Sequence, residues 1–502
     1  MKRLKVILAL LAPVMIMAQS VQLSDVKYSE FRYVRPIKDK GYWAVVEGDK
    51  LKKGKREYRV IFYDYDLNII NEKVLALSKN MSFIDGTYNG DHYFMMFREG
   101  LGSKLVLAFY TFNDQGEQVA QKRIDGKSFS HDVMIGGIYT PQCYPADEGF
   151  FVVLTEYKGA KYGYEVMKLN ESLKFDWRKV LVPKKGVHGV ITAKEAHGQL
   201  ALVVFKRDKL LTREASGEIM VLSSATGEKV LSYDLTDQKY TRLALSVFVD
   251  DDGSIITGGN YWEGTKLKGN PDGVFFLRIG TDGEKLLEAV EPWEEGLGKK
   301  VDASSNRGLF STKPFLMFQT VEKAANGNYI VVGESYYNAV SAAGTATAVG
   351  VKVLAAAAGG SARTEPTIDI VVEDFILLEF DKNSGAMKSV TAVAKERNRY
   401  TATVGYAGFA GALYLNYYGL FDYVYTQKDA DGSPVLVYYD RKKGQPYLGF
   451  INISVGSNVK VDKHNLNKKA EDTWVVESKP GHYLIYEYEK KDKTLTMSVE
   501  KL

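Results

Sequence analysis

A unit of short apolar strands joined by tight polar turns recurs along this chain, and such a repeat restricts the fold more than any single motif. Its copies are GYWAVVEG…YRVIFYDYDLN, DHYFMMF…KLVLAFYTFNDQGE, EGFFVVLTEY…YEVMKLNES, GQLALVVF…EIMVLSSATGE, DGSIITGGNYW…VFFLRIGTDGE, NGNYIVVGESYY…FILLEFDKNSG and GALYLNYY…VLVYYDRKKG. Aligned on the turn, they put anchors near Asp66, Asn113, Asn170, Ser224, Gly280, Asp381 and Asp440. The intervals are roughly 55 residues, with one of about 100. Val, Ile, Phe and Tyr between turns such as NDQG and TDGE are the signature of antiparallel hairpins. No sustained 3.6-residue apolar period appears outside one Ala-rich segment.

The sequence therefore predicts an all-β chain, and its length selects the architecture. A chain of 502 residues exceeds what one sandwich or small barrel fills, yet no Pro/Ser linker divides it. Radially arranged sheets bury their faces against neighbours without one giant core. The expectation is a single β-propeller domain over residues 19–502 with seven or eight blades. Closure comes from the termini: HYLIYEYEKKDKTLTMSVEKL supplies two strands and then stops, while Val26–Ile37, VKYSEFRYVRPI, offers a spare strand. A last blade that borrows its missing strand from the N-terminus removes exposed edges. An open array or two smaller propellers are the alternatives. An outer-membrane barrel fits less well, because YIVVG and DFILLEF do not alternate lipid-facing with lumen-facing residues.

The long interval holds the Ala/Gly-rich stretch Ala339–Ala362, AVSAAGTATAVGVKVLAAAAGGSA. It is expected to be a loop insertion within a blade, residues 338–364, with one short helix over Thr345–Ala358. Such a helix is about 21 Å long, short of a ~30 Å bilayer core. The insertion would cover apolar surface, or cap the channel beside a ligand site. GNYIVVGESYYNAVSAAG, followed by TIDIVVEDFILLEFDK, resembles a group of exported propeller-like proteins of Gram-negative bacteria known as a domain of unknown function. The resemblance implies the fold over most of the chain and brings no catalytic residue with it.

The first residues, MKRLKVILALLAPVMIMAQS, have the charged start, apolar run and small residue of a signal peptide, 1–18, cut after Ala18. The expected product is exported, to the periplasm or cell surface, with no membrane span. The net charge of +4 falls to about +1 once Lys2, Arg3 and Lys5 are removed, leaving no strong overall field for nucleic acid or anionic lipid. Cys143 is the only cysteine, so no internal disulfide forms. As a nucleophile it would need a base, and His131 is the nearest histidine in sequence; an inert thiol is the simpler reading.

Searching for chemistry yields little. The six histidines show no H-E-x-x-H spacing. DKNSG at Asp381 and DADGS at Asp429 place oxygens as Ca²⁺ loops do but lack the closing glutamate, and the same residues suit a tight hairpin. LSSATGEKVLSYD resembles one repeat of quinoprotein-like propellers in a single unit, which supports no cofactor. GYAGFAGALY is no phosphate loop, and its glycines fit a bend or close strand packing. KLKKGKRE, Lys50–Glu57, reads as a solvated hairpin tip. Aromatics are the remaining lead: among 33 tyrosines, Tyr417, Tyr418, Tyr423 and Tyr425 crowd into YLNYYGLFDYVY and are the candidate ligand-binding residues, although Tyr is equally at home on half-buried strands.

The expectation is an exported, non-catalytic propeller acting as a binding or scaffold module for a protein, peptide or glycan in the cell envelope. No catalytic residue, metal ligand, cofactor or nucleic-acid partner is assigned. The alternative is a hydrolase or lyase with carboxylates around the central channel. A cluster of Asp, Glu and His on the axis would favour the second; mixed lining would favour the first.

Overall fold

The computed structural model describes residues 20–23, 31–37, 40–100, 105–126, 141–158, 161–208, 215–265, 267, 270–304, 315–340, 367–403, 409–417, 419–453, 459 and 461–502. Its strands form seven hydrogen-bonded sheets: five of four strands, one of five and one of eight. The eight-stranded sheet is two antiparallel meanders joined by one parallel pairing, Tyr162 with Val187. The described chain is thus a series of four-stranded meanders, units 1 to 8: 31–78, 82–126, 142–181, 187–234, 240–292, 315–403, 423–465, and 472–501 completed by Ser20–Leu23. Unit 6 carries a fifth strand, Asn398–Thr403.

Unit 2 shows why these residues make strands. Its middle strands, His92–Glu99 and Leu105–Asn113, carry the apolar runs YFMMF and LVLAFY, which are buried on both faces. Side chains alternate between faces, so Tyr93, Met95 and Phe97 join the core shared with unit 1, while Phe94 and Met96 join the core shared with unit 3. A sheet covered on both sides needs no polar face, which explains the continuous apolar runs. The fourth strand is more exposed and alternates.

Each described core joins consecutive units. Phe94 meets Phe150 across units 2 and 3 at 5.1 Å, and Phe276 stacks on Phe380 across units 5 and 6 at 4.7 Å. Phe375 meets Tyr438 across units 6 and 7 at 5.0 Å, and Phe450 meets Tyr483 across units 7 and 8 at 4.9 Å. Another core packs Leu484 and Met497 of unit 8 against Tyr42 and Ile61 of unit 1.

In a meander, connections from strand 1 to 2 and from 3 to 4 lie at one end, and the others at the opposite end. At the first end the turns are short and touch from unit to unit. Lys40 Nζ reaches Asp114 at 3.0 Å, Asn89 Nδ2 donates to the Gly149 carbonyl at 3.3 Å, and Trp177 Nε1 donates to the Ser224 carbonyl at 3.0 Å. Lys323 Nζ meets Asp250 at 2.7 Å, and Lys479 Nζ of unit 8 meets Asp66 of unit 1 at 3.8 Å. This is the turn end.

Its strand 3 to 4 turns repeat one device. Asn113 Oδ1 accepts from the Gln115 and Glu117 amides, and Asp64 Oδ1 from Asp66 and Asn68. Asp381 Oδ1 accepts from Asn383 and Ser384, so its DKNSG carboxylate is occupied by its own turn. Each turn then places a left-handed residue against the preceding unit. Gly116, φ +72°, lies so close to Phe62 that a Cβ would stand 2.5 Å from the ring. Leu67 and Leu173 hold the same position at φ 63° and 57° and bury their side chains between units 8 and 1 and units 2 and 3.

Several expectations change. The spare N-terminal strand is Ser20–Leu23, which pairs with 495–498 at the outer edge of unit 8. Phe31–Ile37, within the stretch expected to serve that purpose, instead opens unit 1 against Gly41–Leu51. GALYLNYY is no strand: Phe409–Tyr417 is a helix, apolar around its circumference and packed through Phe409, Ala412 and Leu415, so no amphipathic period marks it. Asp440 sits inside strand Pro434–Lys442, before the turn from strand 2 to 3, and is not equivalent to the other anchors. Part of the long interval is a π turn, Trp293–Leu297, and a helix, Gly298–Ser304, that lead into unit 6. The leader 1–18 and all but 338–340 of the expected insertion lie outside the described residues; the strands flanking it, Tyr329–Val340 and Thr367–Phe380, pair with each other.

Candidate functional site

In its own sheet the first strand of a unit pairs with the second strand alone, except in unit 4, where Val187 also meets Tyr162 of unit 3. In six units this pairing slips by one residue, at Phe31/Tyr33, Phe83/Asp85, Val190/Thr192, Ala244/Ser246, Phe318/Thr320 and Tyr423/Tyr425. Such a bulge bends the strand and re-aims the side chains that follow it.

First strands of units 1, 2, 3, 7 and 8 converge on a cavity of about 460 Å³ at the turn end. Its polar walls are Arg35, Asp85, Lys428 and Glu477, with Tyr65 and Tyr88 as aromatic surface and the buried Trp43 and Cys143 beneath. Asp85, immediately past its bulge, stands 3.8 Å from Arg35 and accepts from the Gly86 amide at 2.8 Å and the Cys143 amide at 3.5 Å. Burial pushes the Asp85 carboxyl up, against the pull of Arg35 and these amides. Burial likewise pushes the Cys143 thiol well up, with Asp85 adding to it, so it is a poor nucleophile. His131 lies outside the described residues.

A second cavity of about 460 Å³ adjoins the first, sharing Lys428 and Glu477 and reaching Glu322 of unit 6. Burial pushes Glu322 up, while the Thr320 hydroxyl and the charges of Lys194 and Lys428 pull it down. Acidic and basic groups thus alternate along this trough. Among the described residues no three His, Cys, Asp or Glu side chains are grouped to hold a metal ion.

Of the predicted tyrosines, Tyr418 and the Tyr417 side chain lie outside the described residues. Tyr423 and Tyr425 are on the first strand of unit 7, and the bulge between them sends Tyr423 into the core with unit 6 and Tyr425 into the core with unit 8. Tyr423 bonds Thr426 Oγ1 at 3.2 Å, and burial pushes its hydroxyl up to about 12. Two tyrosines adjacent in sequence pattern therefore serve different interfaces. The trough residues Arg35, Asp85, Glu322, Lys428 and Glu477 are distant in sequence, and their one shared signal is a place on the strand preceding a 1-to-2 turn.

A buried charge cluster lies at the opposite end, between units 6 and 7. Lys395 Nζ contacts Asp422 and lies 3.4 Å from Glu334, and all three are buried. Glu334 also accepts from the Asp422 and Tyr423 amides at 3.0 and 2.9 Å, and Gln319 Nε2 bridges it to Asn416 of helix 409–417. Burial raises Glu334 despite Lys395. The cluster ties the helix to both units.

The model of a family of unknown function, DUF6770, matches residues 1–502. The chain belongs to this family. No curated protein matches it. Among solved structures, this DUF6770 chain is similar to a europium-containing methanol dehydrogenase, at 9% identity and a TM-score of 0.40 over 96% of this chain and 93% of that one. It is similar to the polysaccharide lyase Uly1 at 9% identity and a TM-score of 0.38, over 94% of this chain and 100% of that one. A quinohemoprotein alcohol dehydrogenase from Comamonas testosteroni gives 9% and 0.38, over 96% and 76%. Scores this low transfer no chemistry to the DUF6770 chain.

Proposed function

We propose that the eight units close into one eight-bladed propeller and that this is an exported, non-catalytic binding module of the cell envelope. Support for closure comes from the order of the cores, the contact of unit 8 with unit 1 and the N-terminal strand on unit 8. Support for export comes from the leader sequence. The ligand is a peptide segment, a protein loop or a glycan, held in the trough at the turn end.

The observation that carries this reading is the cavity where Arg35 faces Asp85 and Lys428 shares the wall with Glu477. Its volume lies within the ~300–1,000 Å³ of small-ligand sites. Mixed charge beside the half-buried Tyr65 and Tyr88 suits a ligand with donors, acceptors and flat apolar faces. Purified residues 19–502 are probed on peptide and glycan arrays, then by calorimetry with Arg35→Ala and Lys428→Ala. Affinity is expected to fall about tenfold or more in each, at an unchanged melting temperature. Equal affinity in the variants would remove the trough from the reading. Sequencing the N-terminus of the protein recovered from envelope fractions tests cleavage after Ala18.

One observation favours the enzymatic alternative: a partly buried carboxyl whose protonation range is raised is what a general acid requires, and Asp85, half-buried in the cavity wall, has that environment. Turnover of an array ligand that disappears in Asp85→Asn would establish it.

A further inference from the structure

The connections from strand 2 to strand 3 project from the end opposite the turns. In units 1, 7 and 8 they are short hairpin tips, and all three are lysine-rich: DKLKKGK at 49–55, DRKKG at 440–444 and EKKDKT at 489–494. Their basic side chains are exposed. Among the described residues only Lys490 of these tips has a carboxylate within salt-bridge distance, Glu471 at 3.6 Å. These units are consecutive in the contact order, unit 7 against 8 and unit 8 against 1. The lysines therefore form one sector, although the chain as a whole is almost neutral.

Three of the lysines occupy backbone positions that disfavour them. Lys53, Lys443 and Lys493 have φ of 58°, 50° and 50°, in the left-handed region where Asn, Asp or Gly is the economical choice. Strain retained at three equivalent tips, each time under a cation, points to a use for the charge. Beside the first tip, a groove of about 490 Å³ is lined by Lys53, Lys55, Arg123 and Tyr110, room for an anionic headgroup. Leu51, at the base of the tip, is 40% exposed.

We propose that this lysine sector docks the protein on an anionic phospholipid surface. Tips that project from one end of neighbouring units meet an extended negative surface together, whereas a single small anion engages only one of them. Each lysine near such a surface adds attraction that falls off within a Debye length.

The test uses purified 19–502 in cosedimentation with vesicles containing one-third anionic phospholipid, or neutral vesicles. The expected result is binding to the anionic vesicles alone, lost at about 0.5 M salt. Reversing a pair, Lys52→Glu with Lys53→Glu, Lys442→Glu with Lys443→Glu, or Lys490→Glu with Lys491→Glu, is expected to weaken binding about tenfold; all six abolish it. Lys382→Glu with Lys388→Glu at the turn end changes net charge equally and is expected to leave binding intact; melting temperatures confirm that each variant folds. The proposal is overturned if the wild type ignores anionic vesicles, if it takes up soluble heparin and no vesicles, or if the turn-end control weakens binding as much as a tip pair.

Discussion

The two ends of this molecule solve the same problem, how to turn a strand back, by different means. At the turn end, Asp and Asn side chains cap the backbone of their own turns, as at Asp64, Asn113 and Asp381, and the left-handed residue of the turn is pressed against the preceding unit. At the other end, connections carry lysine tips, two helices and a buried charge cluster. The turn end spends many of its carboxylates on hydrogen bonds within its own turns and mixes them with cations such as Lys40, Lys323 and Lys479; the lysine-rich tips gather opposite.

The two ends should respond differently to substitution. The largest effect is expected for Lys395→Met, which strands Glu334 and Asp422 in the core. Urea unfolding should show a loss of about 3–5 kcal/mol, and a loss below 1 kcal/mol would mean the cluster does not hold that end together.

Next comes the pH response of the same cluster. Glu334 titrates at 4.5 in the unfolded chain, and burial in the fold pushes it up to about 7. Between these values the folded state binds the extra proton. The contribution is therefore complete below pH 4.5 and is lost as pH rises through 7, on the order of 1–3 kcal/mol. Urea midpoints at about pH 5 and about pH 7.5, compared between wild type and Glu334→Gln, isolate it from the opposite slope of His188, whose imidazole burial pulls down. A gap between the two proteins that does not change with pH would refute it.

At the turn end the effects are smaller. Gly116→Ala forces a left-handed alanine against Phe62 and is expected to cost about 1–3 kcal/mol, read from the melting temperature. Asn113→Ala removes a cap and should cost about 1 kcal/mol. The smallest effect has the opposite sign: Lys443→Asn relieves a strained tip and is expected to stabilise by about 0.5 kcal/mol. If Asn113→Ala exceeds Lys395→Met, the ranking of the two ends is reversed.

Much of the fold was legible because each meander carries its own local signals. NDQG predicted the turn after Asn113, and the apolar run YFMMF predicted a strand. The helix at Phe409–Tyr417 was not legible: its sequence, FAGALYLNY, has no amphipathic stripe, and its tyrosines read as strand. The N-terminal partner strand was misplaced because four residues, SVQL, have too little pattern to compete with VKYSEFRYVRPI. The candidate site was the least visible part. Arg35, Asp85, Lys428 and Glu477 are unremarkable alone, and of the tyrosines that drew attention Tyr423 and Tyr425 are divided by a one-residue bulge between two cores.

Local pattern in the chain was enough for most of the tight turns and for a fold that is mostly β, because turn chemistry and strand propensity act over a few residues. Tertiary structure alone decided which first strands share a cavity, which carboxylate faces which cation and which lysine tips become neighbours. Those relations join residues hundreds of positions apart, and they are set by how whole sheets pack, which no local pattern encodes.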